Sequence, residues 1–388
     1  MSVVGIVAEF NPLHKGHEYL ISEAKKIGPV VVVMSGNFVQ RGETAIAEKR
    51  IRAEAALRCG ADLVVELPVL WSMSTAENFA FGAISILKNM GCDKIMFGSE
   101  CGDISSLIKA ADVLLSKDFS EKLAIELKKG VTFAAARENA AKNLGCDGDI
   151  LQKPNNNLAI EYIKAAKKIG ANVDFITIKR VGAEHDSKQE AEFVSASLLR
   201  EKLRTGDYDF CSKYMSDKAL KLFAPETISD SSLIDRAVLS VLRTKTLDDL
   251  KKLPDVSEGI ENKLFSSIKL AESLSDLYNR LKVKRYTMAR IRRLALWGFI
   301  GADDSFFMKP PPYIRVLGFN RCGEAQLKIG AKTSEIPVVT RLSEIKQLDS
   351  DAQKVLNTEC RATDLFGLTL EKPLPCGLEY VSKIIKTE

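Results

Sequence analysis

Two of the three histidines in the chain, His14 and His17, stand three residues apart in the stretch Gly5-Ile-Val-Ala-Glu-Phe-Asn-Pro-Leu-His-Lys-Gly-His-Glu-Tyr-Leu20. On a helix that spacing puts both imidazoles on one face. So placed, they can donate to phosphate oxygens and gain charge as an alkoxide or pyrophosphate leaves. The elements needed to hold them are written around them. Val3 to Ala8 is a short apolar run of the kind that fills a parallel strand covered on both faces, and Asn11-Pro12 breaks it. A helix must then begin near His14, with Gly16 allowing close approach of a ligand and the free N–H groups of the first turn facing an anion. The stretch reads as a nucleotide-phosphate site. The plainer reading, in which the two histidines cap or pack the first helix, stands beside it.

The following segments repeat the pattern of buried strand, glycine-bearing loop and helix. Pro29 to Met34 reads as a second strand ending in Ser35-Gly36-Asn37, with Gln40-Arg41-Gly42-Glu43 prolonging the loop. Arg41 there can hold a phosphate or carboxylate with two hydrogen bonds, or simply be solvated. Lys49 to Cys59 has helical spacing with Ala53, Ala56 and Leu57 inward, and Gly60 stops it. Asp62 to Leu67 is the next strand, Thr75 to Met90 a helix, Lys94 to Phe97 a fourth strand followed by Gly98-Ser99-Glu100. Loops at the carboxyl ends of parallel strands line ligand crevices, and three such loops point to one shared crevice. Ile104 to Asn143 reads as helical with a break at Gly130. Pro154-Asn155-Asn156-Asn157 opens another helix, where an asparagine ordinarily serves as N-cap. Val173 to Ile178 is a fifth strand delivering Lys179 and Arg180 to its end. Ser195-Ala196-Ser197 with Arg200 is either a second anion cradle or a capped helix start.

After Gly206 the pattern changes. Tyr208 to Leu281 reads as short helices with leucine spacing, which places a domain boundary between residues 206 and 207. The segment Lys282 to Arg293 is the densest basic run, holds no acid, and on a helical wheel gathers five of its six cations on about half the circumference. A run of this kind suits a nucleic-acid backbone, and within it Lys284, Arg285, Arg290, Arg292 and Arg293 are the candidate contacts. Beyond it Tyr313 to Phe319 and Ile336 to Thr340 read as strands, Arg341 to Leu356 and Leu374 to Lys386 as terminal helices. The fold class is α/β: a Rossmann-like domain with a parallel sheet over residues 1–206, followed by a mainly helical domain with a few strands over residues 207–388.

Composition narrows the class of function. A chain of 388 residues, 46% hydrophobic, can form real cores, and no run approaches the ~20 apolar residues of a membrane helix. Without a basic signal region after Met1, a cytoplasmic location is expected. Eight scattered cysteines lack any Cys-x-x-Cys pair, which argues against a disulfide framework or zinc site. A net charge of +5 is compatible with a nucleic-acid partner without demanding one.

His14-Lys15-Gly16-His17 resembles the His-x-Gly-His signature of the nucleotidyltransferase superfamily. Glu9-Phe10-Asn11-Pro12, Met34 to Gly42, Asp62 to Pro68, Phe97 to Glu100 and Pro154-Asn155-Asn156 together resemble the bacterial tRNA(Met) cytidine acetate ligases. Lys284 to Thr287 and Arg290 to Arg293 carry the likeness into the second half. The resemblance implies an enzyme that forms acetyl-adenylate from acetate and ATP, then acetylates N4 of the wobble cytidine of elongator tRNA(Met), with no membrane or DNA partner. It implies ATP contacts from Val7, Ala8, Glu9, Phe10, Asn11, Pro12, Leu13, His14, Lys15, Gly16, His17, Glu18, Tyr19 and Leu20, and from Gly98, Asn155 and Arg180, with His14 and His17 catalytic. Mg2+ is expected with ATP, although no acidic cluster marks a metal site of the protein's own. An adenylyl- or cytidylyltransferase making a small nucleotide cofactor, or a non-catalytic tRNA-binding protein with a nucleotide site, fits the residues alone.

Overall fold

Apolar runs without alternation become the interior of one sheet. In the computed structural model, which describes residues 2–180 and 194–388, Val30-Val-Val-Val-Met-Ser35 is buried at every position because helices cover both faces. The strands are β1 (Val4–Ala8), β2 (Val30–Ser35), the short hairpin β3 (Phe38–Val39) and β4 (Glu43–Thr44), β5 (Leu63–Leu67), β6 (Lys94–Ser99), β7 (Asp174–Lys179), β8 (Ile314–Phe319), β9 (Val338–Val339) and β10 (Ile385–Lys386). The main sheet runs β10-β8-β5-β2-β1-β6-β7, with β9 also on β8. Every pairing in it is parallel except β5 with β8, which is antiparallel and shifts register between Val64 and Val65. The chain steps from β1 to β2 and β5 on one side, then returns to β6 and β7 on the other. The reversal lies between β1 and β6, where a crevice must open at the strands' carboxyl ends.

Alternate residues of β2 sort into two cores. Val31 and Val33 join the layer formed by helices Ala76–Asn89 and Pro154–Ile169, which continues into the helices of the second half. Val30, Val32 and Met34 face helices Lys15–Lys25, Lys49–Arg58 and Ala196–Arg204. This is the strand period of two read out by a three-layer α/β/α sandwich.

The five strands read in the first half lie within about a residue or two of their expected bounds, and the short helices after Tyr208 are present. Four features differ. First, β8, β9 and β10 are not strands of a separate domain: β8 pairs with β5, so the sheet crosses the expected boundary at residues 206 and 207. Second, the basic segment is not one helix. Lys282 is the C-cap of Leu274–Leu281, and the next helix, Met288–Ile300, starts only after Thr287, whose side chain accepts from the Arg290 N–H. The helical wheel drawn over residues 282–293 therefore does not describe a real face. Third, Leu374 to Lys386 is mostly extended, with one turn at Leu378–Val381 and then β10. Pro375 and Gly377, the latter at φ +85°, break the helix expected over this segment. Fourth, Arg341 to Leu356 divides into Leu342–Ile345 and the longer Ser350–Phe366, whose N-cap is Asp349. No described helix is long and apolar enough to cross a membrane.

Candidate nucleotide site

The head of helix Lys15–Lys25 meets the ends of β1 and β6 at the sheet's reversal point. His14 is the N-cap, in extended conformation, and its Nδ1 accepts from the Gly16 N–H at 3.1 Å. His17 completes the box: its Nδ1 accepts from the His14 N–H at 3.4 Å. The rings stack with centroids 3.8 Å apart, and Phe10 meets His17 edge-on at 5.2 Å. The two readings of the pair are thus one arrangement. A ring nitrogen that accepts from a backbone N–H carries no proton, so in each neutral imidazole the proton sits on Nε2. Among the described residues neither Nε2 has a partner, and capping fixes the tautomer that leaves a donor over the helix head.

Both imidazoles are neutral at pH 7. Burial, and then the nearby Arg180 guanidinium, lower His14 to about 4. His17 lies well below the usual histidine value because of its burial, with His14 and Arg180 adding to the effect. Any charge they acquire must therefore arrive with the anion they bind.

Arg180 reaches the site from the end of β7. Its backbone N–H continues the ladder to the Ser99 carbonyl at 2.9 Å, and its side chain lies across Gly98, where a Cβ would stand 3.2 Å from Arg180 Cγ. Arg180 makes no ion pair among the described residues and is exposed. Arg180→Ala is expected to weaken ATP binding by roughly tenfold or more, the cost of one charge-assisted hydrogen bond or a pair of them. An ATP titration beside a melting curve tests it, and an unchanged titration would assign the guanidinium to the surface.

Asn155 belongs to a reciprocal clasp. Glu100 Oε1 accepts from Asn155 Nδ2 at 2.6 Å and Oε2 from the Asn156 N–H at 2.8 Å, while Asn156 Oδ1 accepts from the N–H groups of Glu100 and Cys101. The N-cap of Pro154–Ile169 is Lys153, without a side-chain bond, so no asparagine caps this helix and the Glu100 carboxylate covers its open end. The clasp joins the β6 loop to that helix and leaves Asn155 Oδ1 without a partner among the described residues.

The second anion cradle is closed. Ser195 caps Ala196–Arg204 through the Leu198 N–H, and Arg200 donates to the Asn11 carbonyl at 2.9 Å and lies 3.6 Å from Glu43. His185 and Asp186, expected in the loop after β7, lie outside the described residues.

Two residues of the helix Lys49–Arg58 were invisible to the spacing of its apolar side chains. Arg52 is fully buried and donates to the carbonyls of Ala47 (2.9 Å), Glu9 (2.6 Å), Ser35 (3.1 Å) and Gly36. One guanidinium thus ties together the ends of β1 and β2, the floor of the site, and burial lowers its pKa to about 10. Lys49 is also fully buried, between Glu66, Glu359 at 2.9 Å and Glu379 at 2.5 Å. Arg315 reaches Glu379 at 2.6 Å and Glu66 at 3.4 Å, and Arg50 reaches Glu379 at 2.7 Å. Burial and the neighbouring Glu66 push Glu359 up to about 7, while Lys49 and Arg315 hold Glu379 well below the carboxylate range against its own burial. Gly36 sits on this cluster, with room for no Cβ: one would lie 2.9 Å from Glu359 Oε1. The only available signal was a helix sequence, Lys-Arg-Ile-Arg-Ala-Glu-Ala-Ala-Leu-Arg, with no consistent polar face.

The basic residues divide. Lys284 and Arg285 are exposed and form no ion pair among the described residues. Arg290 lies by Asp255 (3.6 Å) and Glu258 (3.3 Å), Arg292 pairs with Glu43, and Arg293 is buried against Asp255 at 2.5 Å. Arg293 also donates to the Gln40 carbonyl at 3.1 Å, which packs the head of Met288–Ile300 against the β3–β4 hairpin beside the site.

Comparison with known proteins identifies the family. The family described as HIGH Nucleotidyl Transferase matches residues 1–376. The chain is 40% identical, over 100% of both sequences, to a tRNA(Met) cytidine acetate ligase of Caldanaerobacter subterraneus subsp. tengcongensis, and 35% identical, over 95% of both, to one of Clostridium perfringens. Its fold is similar to that of Thermotoga maritima TmcAL bound with alpha-thio ATP, with TM-score 0.91 and 32% identity, covering 100% of this chain and 99% of that one. The apo form of the same protein matches with TM-score 0.92 and 33% identity.

Proposed function

The chain belongs to the tRNA(Met) cytidine acetate ligases, within the HIGH nucleotidyl transferases, and from that premise we propose how its residues carry the reaction. The acetate carboxylate attacks the α-phosphorus of ATP, the bond to the β-phosphate oxygen breaks, and pyrophosphate leaves acetyl-adenylate behind. N4 of the wobble cytidine of elongator tRNA(Met) then takes the acetyl group and AMP departs. The observation that carries the reading is the pair of Nε2–H donors fixed over the helix head, opposite Arg180. Negative charge building on the phosphates finds two preorganised neutral donors, the N–H groups of the first turn and one guanidinium, with no reorganisation of water. Asn155 and Gly98 complete the nucleotide's enclosure. Mg2+ is the ion expected to accompany the phosphates of ATP. A tRNA substrate supports a cytoplasmic location.

Acetate-dependent exchange of labelled pyrophosphate into ATP tests the first half-reaction. Exchange that ignores acetate but follows another acceptor would transfer the assignment to a small-cofactor nucleotidyltransferase.

For the tRNA, Lys284 and Arg285 are the proposed backbone contacts, with Arg290, Arg292 and Arg293 shaping the surface through their acid partners. Replacing Lys284 and Arg285 together by Ala is expected to lower tRNA affinity and to flatten its salt dependence by a slope of roughly 1.4 to 1.8, for two phosphates. Exchange should be untouched, since it involves no tRNA. Arg293→Ala should behave differently, lowering the melting temperature and both half-reactions, because it removes the nearer of Asp255's two arginine partners and the bond to the Gln40 carbonyl. Affinity at two salt concentrations, with exchange on the same samples, separates the two kinds of arginine.

A further inference from the structure

Acetyl transfer to an aromatic amine releases a proton, and the histidines cannot take it. Each Nδ1 already accepts a backbone N–H and each Nε2 carries the proton, so His14 and His17 are donors. Most carboxylates around the site are committed elsewhere. Glu100 uses both oxygens on the head of Pro154–Ile169, Glu43 pairs with Arg292 and faces Arg200, and Glu18 is turned toward Cys59. Glu9 differs. It stands at the end of β1, one residue before the Phe10 ring that abuts His17. Its Oε1 accepts from the Gln40 N–H at 2.9 Å, and its Oε2 has no partner among the described residues. Its main chain is held by Arg52, which bonds its carbonyl.

Glu9 is also connected to the segment proposed above to bind tRNA. Gln40, which donates its N–H to Glu9, gives its carbonyl to Arg293 at the head of the helix that follows Lys284 and Arg285. A single residue therefore links the open carboxylate to the basic segment.

We propose that Glu9 is the general base of the second half-reaction, accepting the proton of cytidine N4. The inference rests on the ligase reading above. As the N4 lone pair forms the C–N bond, the bond from the acetyl carbon to the AMP phosphate oxygen breaks and AMP takes that electron pair. The N4 proton passes to Glu9 Oε2 and from there to water. Acetyl-adenylate and cytidine become N4-acetylcytidine, AMP and one proton. The charged neighbours are compatible with the role. Burial raises Glu9 above the ordinary carboxylate value, which strengthens it as a base, against the Gln40 N–H and the cations Arg52, Arg41 and Arg200. Arg52 and Arg200 stay charged, and Tyr162, which burial and then Glu9 push upward, stays neutral through the working range. His14, at about 4, lies below that range.

The test is Glu9→Gln, which keeps an acceptor for the Gln40 N–H, beside Glu9→Asp, with folding checked by melting. Enzyme carrying preformed acetyl-adenylate is mixed with tRNA and the single-turnover rate followed from pH 5 to 8. We expect transfer in Glu9→Gln to fall about 100-fold, the typical share of a general base, while exchange changes by a much smaller factor. The parent rate should rise with pH and level off. Glu9→Gln should lack that limb, and Glu9→Asp should restore it in part. Parent-like transfer in Glu9→Gln, or exchange and transfer falling by the same factor, would overturn the role. Absence of acetate-dependent exchange in the parent would instead remove the ligase reading on which it stands.

Discussion

His14→Asn should lower acetate-dependent pyrophosphate exchange by about 10²- to 10³-fold, as loss of one preorganised donor to a developing oxyanion does, with a smaller change in ATP affinity. Asparagine is chosen because the structure gives His14 two jobs. Its oxygen can still accept the Gly16 N–H and cap the helix, but nothing replaces the Nε2–H. His14→Ala loses both, and should add about 1 kcal/mol of destabilisation from the missing cap. Equal exchange in the Asn variant and the parent would reduce His14 to a cap. The same histidine sets a pH signature of stability. Its folded pKa of about 4 lies below the unfolded value near 6.5, so the unfolded chain takes up a proton that the folded one refuses. Its contribution is complete above pH 6.5 and is lost as pH falls toward 4, by about 3 kcal/mol in all. Urea midpoints at pH 7 and 5 should therefore differ less in His14→Asn than in the parent.

Lys49→Met should be the most destabilising single change in the sheet region, costing about 3 to 5 kcal/mol. Three buried carboxylates, Glu66, Glu359 and Glu379, would then face only Arg315 and Arg50. The loss should shrink as pH falls. Glu359 is already raised to about 7, so the folded state binds a proton there before the unfolded chain does, and acid favours folding through this group. Without Lys49 its pKa rises further. Urea midpoints at pH 6 and 8 test this, and a variant equally unstable at both would mean the carboxylates are relieved in another way. Exchange should fall too, because the Lys49 side chain neutralises the cluster on which Gly36 rests, and Gly36 gives its carbonyl to Arg52 at the floor of the site.

What the sequence disclosed follows from what is local. Val30 to Met34 and Val3 to Ala8 could only be interior strands, and the crevice at their ends followed from parallel topology. His14 and His17 could be placed on one helix because their relation spans one turn. Arg52 and Lys49 could not, since their meaning lies in carbonyls and carboxylates brought together by tertiary packing; Glu359 stands 310 positions from Lys49. The basic segment was misread for a related reason. Arg293 and Lys284 look alike as cations of one basic run, and only the fold puts Asp255 beside one of them. For Leu374 to Lys386 the contrary signal is local: Pro375 and Gly377 stand in the segment and leave room for one turn before β10.

The antiparallel strand β8 also sets an order of events on the ribosome. β5 is paired on one side by β2, and its other edge is closed by a strand whose Arg315 lies 249 positions beyond Glu66. While those intervening residues are being synthesised, Leu63 to Leu67 presents an open apolar rim and Glu66 a carboxylate without Arg315. A nascent chain in that state invites pairing with another chain's strand. The catalytic helix head can thus assemble early, whereas its protection against aggregation arrives late, and growing chains depend for that interval on slow mutual encounter or a chaperone.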